Sequence, residues 1–164
     1  MKQLHPNQLN LNMEDKKYFQ DYMPGNVCFG CGTNNHQGLQ IRSYWEGDQS
    51  VCIWDSKEQY HGWKGVLNGG IHATLVDCHC MCTAMAHAYK TENRELGSEP
   101  HYRFATGTLT IKYLKPTSND EPVILKAKVI EQKGRKMVLS CDTWTGDVKT
   151  AESEVIAIRV DWED

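Results

Sequence analysis

The segment HGWKGVLNGGIHATLVD, residues 61–77, gathers residue types that can do chemistry. Gly69 and Gly70 stand where an extended approach turns into a helix, so a ligand can come close to backbone N–H groups that have no partner inside the helix. Such a helix start holds an oxyanion or a carbonyl oxygen through those donors and the positive end of the helix dipole. Asp77 follows about two turns later in an apolar stretch, with no Lys, Arg or His at i±3 or i±4. A carboxylate in those surroundings either finds hydrogen-bond partners, such as a threonine or backbone of a neighbouring sheet, or serves a reaction. In the second case it is a general base or nucleophile, with the glycine amides as electrophilic stabilisers, and the reaction class is acyl transfer or hydrolysis. In the first case the two glycines simply let the helix pack closely.

A second set of reactive side chains is sulfur. Cys28-Phe29-Gly30-Cys31 is one C-x-x-C pair, and a structural zinc site needs two further ligands. His36 is near in sequence, and Cys78 and Cys82 share a helix face at i, i+4, whereas His79 and Cys80 point elsewhere. A thioredoxin-like role requires a βαβ context, which the chain lacks. His72, His79 and His87 read as packing or surface positions on the helix, and Trp45, Trp54 and Trp144 as sheet and core residues.

These residues must be positioned by one domain with a real core, since 164 residues are too few for two comfortable ones. The composition, 40% hydrophobic and 24% charged, is that of a folding chain rather than a disordered one. A net charge of −3 provides no whole-protein field for nucleic acid. The seven cysteines are odd in number and the start MKQLHPNQLN has no apolar segment of a secretory signal, which together imply free thiols in a reducing cytoplasm. The apolar stretch 71–89 contains Asp77 and three histidines, so it is expected as a helix inside a soluble protein, not a membrane span.

Residues 1–12 read as a loose arm, and 13–22 as a short amphipathic helix with Tyr18, Phe19 and Tyr22 at helical spacing, ended by Pro24-Gly25. Residues 1–24 are thus expected as an arm and 25–164 as the domain. After a loop over 28–38, alternating segments at 39–45 and 50–55 flank the turn Glu46-Gly47-Asp48 and predict a hairpin. About twenty residues apolar on nearly every face follow Gly70, and then strands at 104–114, 123–132, 136–144 and 148–160. The order predicts an α+β fold with the helix packed on one face of an antiparallel sheet.

Three segments, GVLNGGIHATLVD, CFGCGTNNHQGLQI and TGTLTIKYLKPT, occur in the order and form that resemble the hotdog-fold thioesterases of the phenylacetyl-CoA (PaaI-like) type, over roughly residues 28–117. The resemblance implies a long central helix wrapped by an antiparallel sheet of about five to six strands. It also implies a homodimer or dimer of dimers with the active site between protomers, and an acyl-CoA substrate carrying a small or medium acyl group, aromatic ones included. By the same resemblance Asp77 is the base or nucleophile, the Gly69 N–H polarises the thioester carbonyl, Gly70 supports the helix start, and Thr74 orients the carboxylate. The histidine usual before the two glycines is Asn68 here, which cannot shuttle a proton but can still hydrogen-bond a carbonyl. That departure leaves a non-catalytic acyl-CoA-binding protein as the alternative. A dehydratase needs a catalytic histidine paired with a carboxylate, which Asn68 and its helix do not supply. His61 and Trp63 fall in the loop beside the family's pocket, and Arg135 and Lys136, with Lys112 and Lys115, are candidates for the CoA phosphates. The resemblance makes the C-x-x-C run a metal-free loop, so neither a metal nor a cofactor is expected.

Overall fold

The computed structural model describes residues 16–161, and the arm at 1–12 lies outside them. The apolar stretch after Asn68 forms one helix, α1 (Gly69–Thr91), in which Leu75, Val76, Cys80 and Ala84 have no more than trace exposure. Its polar exceptions, His72, His79 and Thr83, are also buried, so the helix is covered on several sides rather than along one stripe.

The cover is a six-stranded antiparallel sheet built from β1 (Ser43–Glu46), β2 (Gln49–Trp54), β5 (Arg103–Tyr113), β6 (Val123–Lys133), β7 (Lys136–Thr145) and β8 (Val148–Val160), in the spatial order β1-β2-β6-β7-β8-β5. Between β2 and α1, the short β3 (His61–Trp63) and β4 (Val66–Leu67) form a separate two-stranded ladder. Alternate residues of the long strands point at the helix: Val123, Leu125 and Ala127 on β6, and Met137, Leu139 and Cys141 on β7, are buried. Each fully buried leucine of this set contributes about 2 kcal/mol through the apolar area it removes from water. The α+β order expected from the sequence is therefore the order found.

Three local expectations differ. The first hairpin strand starts at Ser43, not at 39, because Leu39 and Ile41 give their N–H groups to Phe29 and Gly30 of the preceding loop, at 2.8 and 3.0 Å. Of the helix expected at 13–22, the described part holds only a 3-10 turn at Phe19–Tyr22, preceded by extended Tyr18, while residues 13–15 lie outside the described residues. Finally, His61 and Trp63 sit on a strand, β3, rather than in an open loop.

Helix α1 runs along β5 in the opposite direction. Three contacts mark this: the Tyr113 hydroxyl with Gly69, Thr106 with Asp77, and the Tyr102 N–H with the Tyr89 hydroxyl. Strand β5 is at the sheet edge, so one of its backbone edges has no strand partner among the described residues.

Candidate active site

Asn68 is the N-cap of α1. Its backbone is extended, and its side-chain Oδ1 accepts from the N–H groups of Gly70 and Ile71, at 2.8 and 3.2 Å. The cap consumes two of the orphan donors of the helix start. Gly69 keeps its own N–H, for which the described residues offer no acceptor, while its carbonyl receives the Tyr113 hydroxyl at 2.7 Å. Partial burial pushes the Tyr113 hydroxyl's pKa up, which favours the protonated form needed for that bond. The approach is pinned on the other side, where Leu67 N–H bonds Thr117 and Asn68 N–H bonds Tyr60, both at 2.9 Å. Beside the helix start lies an open cleft of about 330 Å³ lined by Val66, Gly69, His72, Tyr113 and Pro116.

Asp77 is half-buried on the face of α1 that meets β5, and the Thr106 hydroxyl donates to its Oδ1. Pairing of β5 with β8 shifts register between Thr106 and Thr108, a bulge centred on Gly107. A Cβ at Gly107 would stand 3.1 Å from the Ile158 side chain, so the close strand contact favours glycine there. Bulges re-aim neighbouring side chains, and this one adjoins the residue that bonds the carboxylate. Gly69 and Asp77 are eight residues apart on one helix, hence about 12 Å along its axis. The free amide and the carboxylate of one chain are therefore too far apart to act on one carbonyl.

A helix-start amide, a carboxylate bonded by Thr106 and the fold around them stand beside a comparison to known proteins: residues 64–152 match the family model described as "Thioesterase superfamily". This chain belongs to the thioesterase superfamily. Acyl-coenzyme A thioesterase THEM4 from Bos taurus is 26% identical over 112 residues, covering 68% of this chain and 40% of that protein. The same-named protein of Rattus norvegicus is 25% identical over 111 residues, covering 67% and 42%. The chain thus spans about two fifths of the length of these curated relatives. Among solved structures, a thioesterase superfamily protein from Shewanella loihica PV-4 is 27% identical, with TM-score 0.61, over 74% of this chain and 91% of that one. The Escherichia coli PaaI protein of the phenylacetic acid degradation operon shares the fold at TM-score 0.61 and 14% identity, over 75% and 81% of the two chains.

The remaining residues singled out in this superfamily member are placed as follows. Thr74 donates its hydroxyl back to the Gly70 carbonyl at 3.0 Å, which ties it to its own helix rather than to the carboxylate. His61 is half-buried on β3, level with Leu67, and Trp63 is 83% exposed at the ladder's tip. Arg135, in the β6–β7 turn, is ion-paired with Asp161, and the exposed Lys136 is level with Ile158, which pairs in turn with Ala105. Both lie toward the Asp77 end of β5 and away from Gly69. Among the described residues no helix is long and apolar enough to cross a membrane.

One feature does not follow from the residues alone. Thr106 was not identified individually, although a glycine inside a strand pattern is the usual mark of a bulge. The gathering of thiols takes one of the pairings open from the sequence, with Cys28 and Cys31 against Cys78 and Cys82 of α1 rather than beside His36. Thiol donation from Cys78 holds the Cys28 pKa down to about 6, and donation from Cys78 and Cys82 holds Cys31 down to about 3, while both donors are pushed up. His72 and His79 are buried, and loss of hydration lowers each to about 4.

Proposed function

We propose that the protein hydrolyses acyl-CoA thioesters with small or medium acyl groups, aromatic ones included, in a site shared by two copies of the chain. The observation that carries this reading is the 12 Å separation, on one helix, of a free Gly69 amide and a carboxylate braced by Thr106. A two-fold axis beside the unpaired edge of β5 would bring Gly69 of one protomer to Asp77 of the other, since α1 runs along that edge strand.

Asp77 takes a proton from water as the water oxygen attacks the thioester carbonyl. The negative charge that develops on the carbonyl oxygen is held by the Gly69 N–H at the helix start. Collapse of the tetrahedral intermediate breaks the C–S bond, and the CoA thiolate leaves with the proton returned from Asp77. Tyr113 holds the Gly69 carbonyl, and with it the Gly69–Gly70 peptide at the helix start. The exposed Trp63 and the half-buried His61, on the ladder next to the cleft, are suited to contact the acyl group or the pantetheine arm.

CoA release from a panel of acyl-CoAs, followed with a thiol reagent, tests this. The wild type turns over at least one ester, and Asp77→Asn loses at least ~100-fold in kcat while staying folded. A folded wild type without turnover, or equal turnover in the variant, overturns it. One observation favours a binding protein instead: Asn68 is occupied as a cap and has no titratable group. Calorimetry showing tight CoA-ester binding with no hydrolysis over hours would select that reading.

A further inference from the structure

We propose that Cys28, Cys31, Cys78 and Cys82 form a structural tetrathiolate site for a zinc ion, which locks the 28–38 loop onto the central helix. The Sγ atoms of Cys28, Cys31 and Cys78 all lie within 4.8 Å of one another. The Cys28–Cys78 distance is 3.7 Å and the Cys31–Cys82 distance 3.9 Å. A tetrahedral zinc with Zn–S bonds of about 2.3 Å requires sulfur–sulfur separations of roughly 3.8 Å. Cys82, whose Sγ is beside Cys31 but outside the three-sulfur group, would supply the fourth corner on turning toward it.

The surroundings are those of a metal-thiolate centre. Two ligands come from a C-x-x-C pair in a tight loop and two from consecutive turns of a helix, so both halves hold their sulfurs by local geometry. Backbone and amide donors face the sulfurs: Gly30 N–H stands 3.4 Å from Cys28 Sγ and Asn26 Nδ2 3.5 Å from Cys31 Sγ. Such donors offset the negative charge of bound thiolates. The loop lies so close to the helix that a Cβ on Gly30 would be 2.3 Å from Cys78 Sγ. Cys31, Cys78 and Cys82 are at most 7% exposed, while Cys28 is open to solvent and provides the path for the ion. Neither the proposed catalytic carboxylate nor the Gly69 amide is used, which makes the site independent of the thioesterase reading. It revises the expectation of a metal-free loop.

The test uses the full chain under reductant, stripped with a chelator and titrated with Zn²⁺ and with Co²⁺. One zinc per chain is expected by elemental mass spectrometry, and the cobalt form should show thiolate charge-transfer bands with the intense visible bands of a tetrahedral site. Reloading should raise Tm by roughly 5–10 °C at a hundredfold excess over Kd. The exposed position makes Cys28→Ser tolerable to the fold, and it should weaken zinc binding at least tenfold, whereas Cys52→Ala, outside the cluster, should keep it. A folded, reduced protein that takes up no zinc overturns the proposal. So does zinc uptake unaffected by Cys28→Ser, or peptide mapping of freshly isolated protein that finds Cys28 and Cys78 joined as a disulfide.

Discussion

On the side of α1 that faces β1 and β2, every polar atom of the His79 ring is spoken for. Ser43 Oγ is 2.9 Å from Nδ1, Ser50 Oγ is 3.2 Å from Nε2, and Gln20 and Thr83 close the network behind those hydroxyls. On the side that faces β5, the described residues offer the Gly69 N–H no acceptor and the second oxygen of Asp77 no donor beyond the Thr106 bond to the first. Both regions are polar groups on the same helix, yet one is closed and dry and the other is open. A closed network makes the core unique and rigid, whereas only the open one has hydrogen-bonding capacity left for a substrate.

Acidification is the largest lever on the two buried histidines, His79 in the closed network and His72 behind the cleft. His72 and His79 are neutral in the fold down to about pH 4 but accept protons near pH 6.5 once unfolded. Between those values the unfolded chain binds more protons, so stability is whole above about pH 6.5 and falls as pH drops toward 4. The combined loss is on the order of several kcal/mol. Urea midpoints measured from pH 7.5 to 4 should show it, and a flat profile would break the contrast between the two regions.

At the open region the expected effects fall on rate. Thr106→Val should lower kcat about tenfold by freeing the carboxylate, with less than ~1.5 kcal/mol of stability lost, while Thr106→Ser restores the rate. Steady-state kinetics beside denaturant titration separates the two. The smallest effect belongs to the cap: Asn68→Ala should cost about 1 kcal/mol in unfolding free energy. Asn68→Asp should keep that stability yet slow hydrolysis, because it sets a negative charge beside the forming oxyanion.

Legibility in the sequence followed the range of the interaction. Alternation, turn residues and the all-round apolar helix made the strands at 104–114 through 148–160 and the helix after Gly70 readable, because those signals are local. The start of β1 is not legible in the sequence because residues 39–42 alternate like a strand while the N–H groups of Leu39 and Ile41 bond the cysteine loop. Thr74, one turn from Asp77, looked like its natural partner, but a threonine hydroxyl inside a helix reaches its own i−4 carbonyl more readily.

The sequence by itself determined the element order, the glycine helix start and the isolated acid on an apolar helix, each set by neighbours within a few residues. Only the tertiary structure decided which Thr meets that acid and that Cys28 and Cys31 meet Cys78 and Cys82. Those partners are separated by 29, 50 and 51 residues in the Thr106–Asp77, Cys28–Cys78 and Cys31–Cys82 pairs. Contacts at that range arise when the sheet closes on the helix, a packing event that no local periodicity encodes.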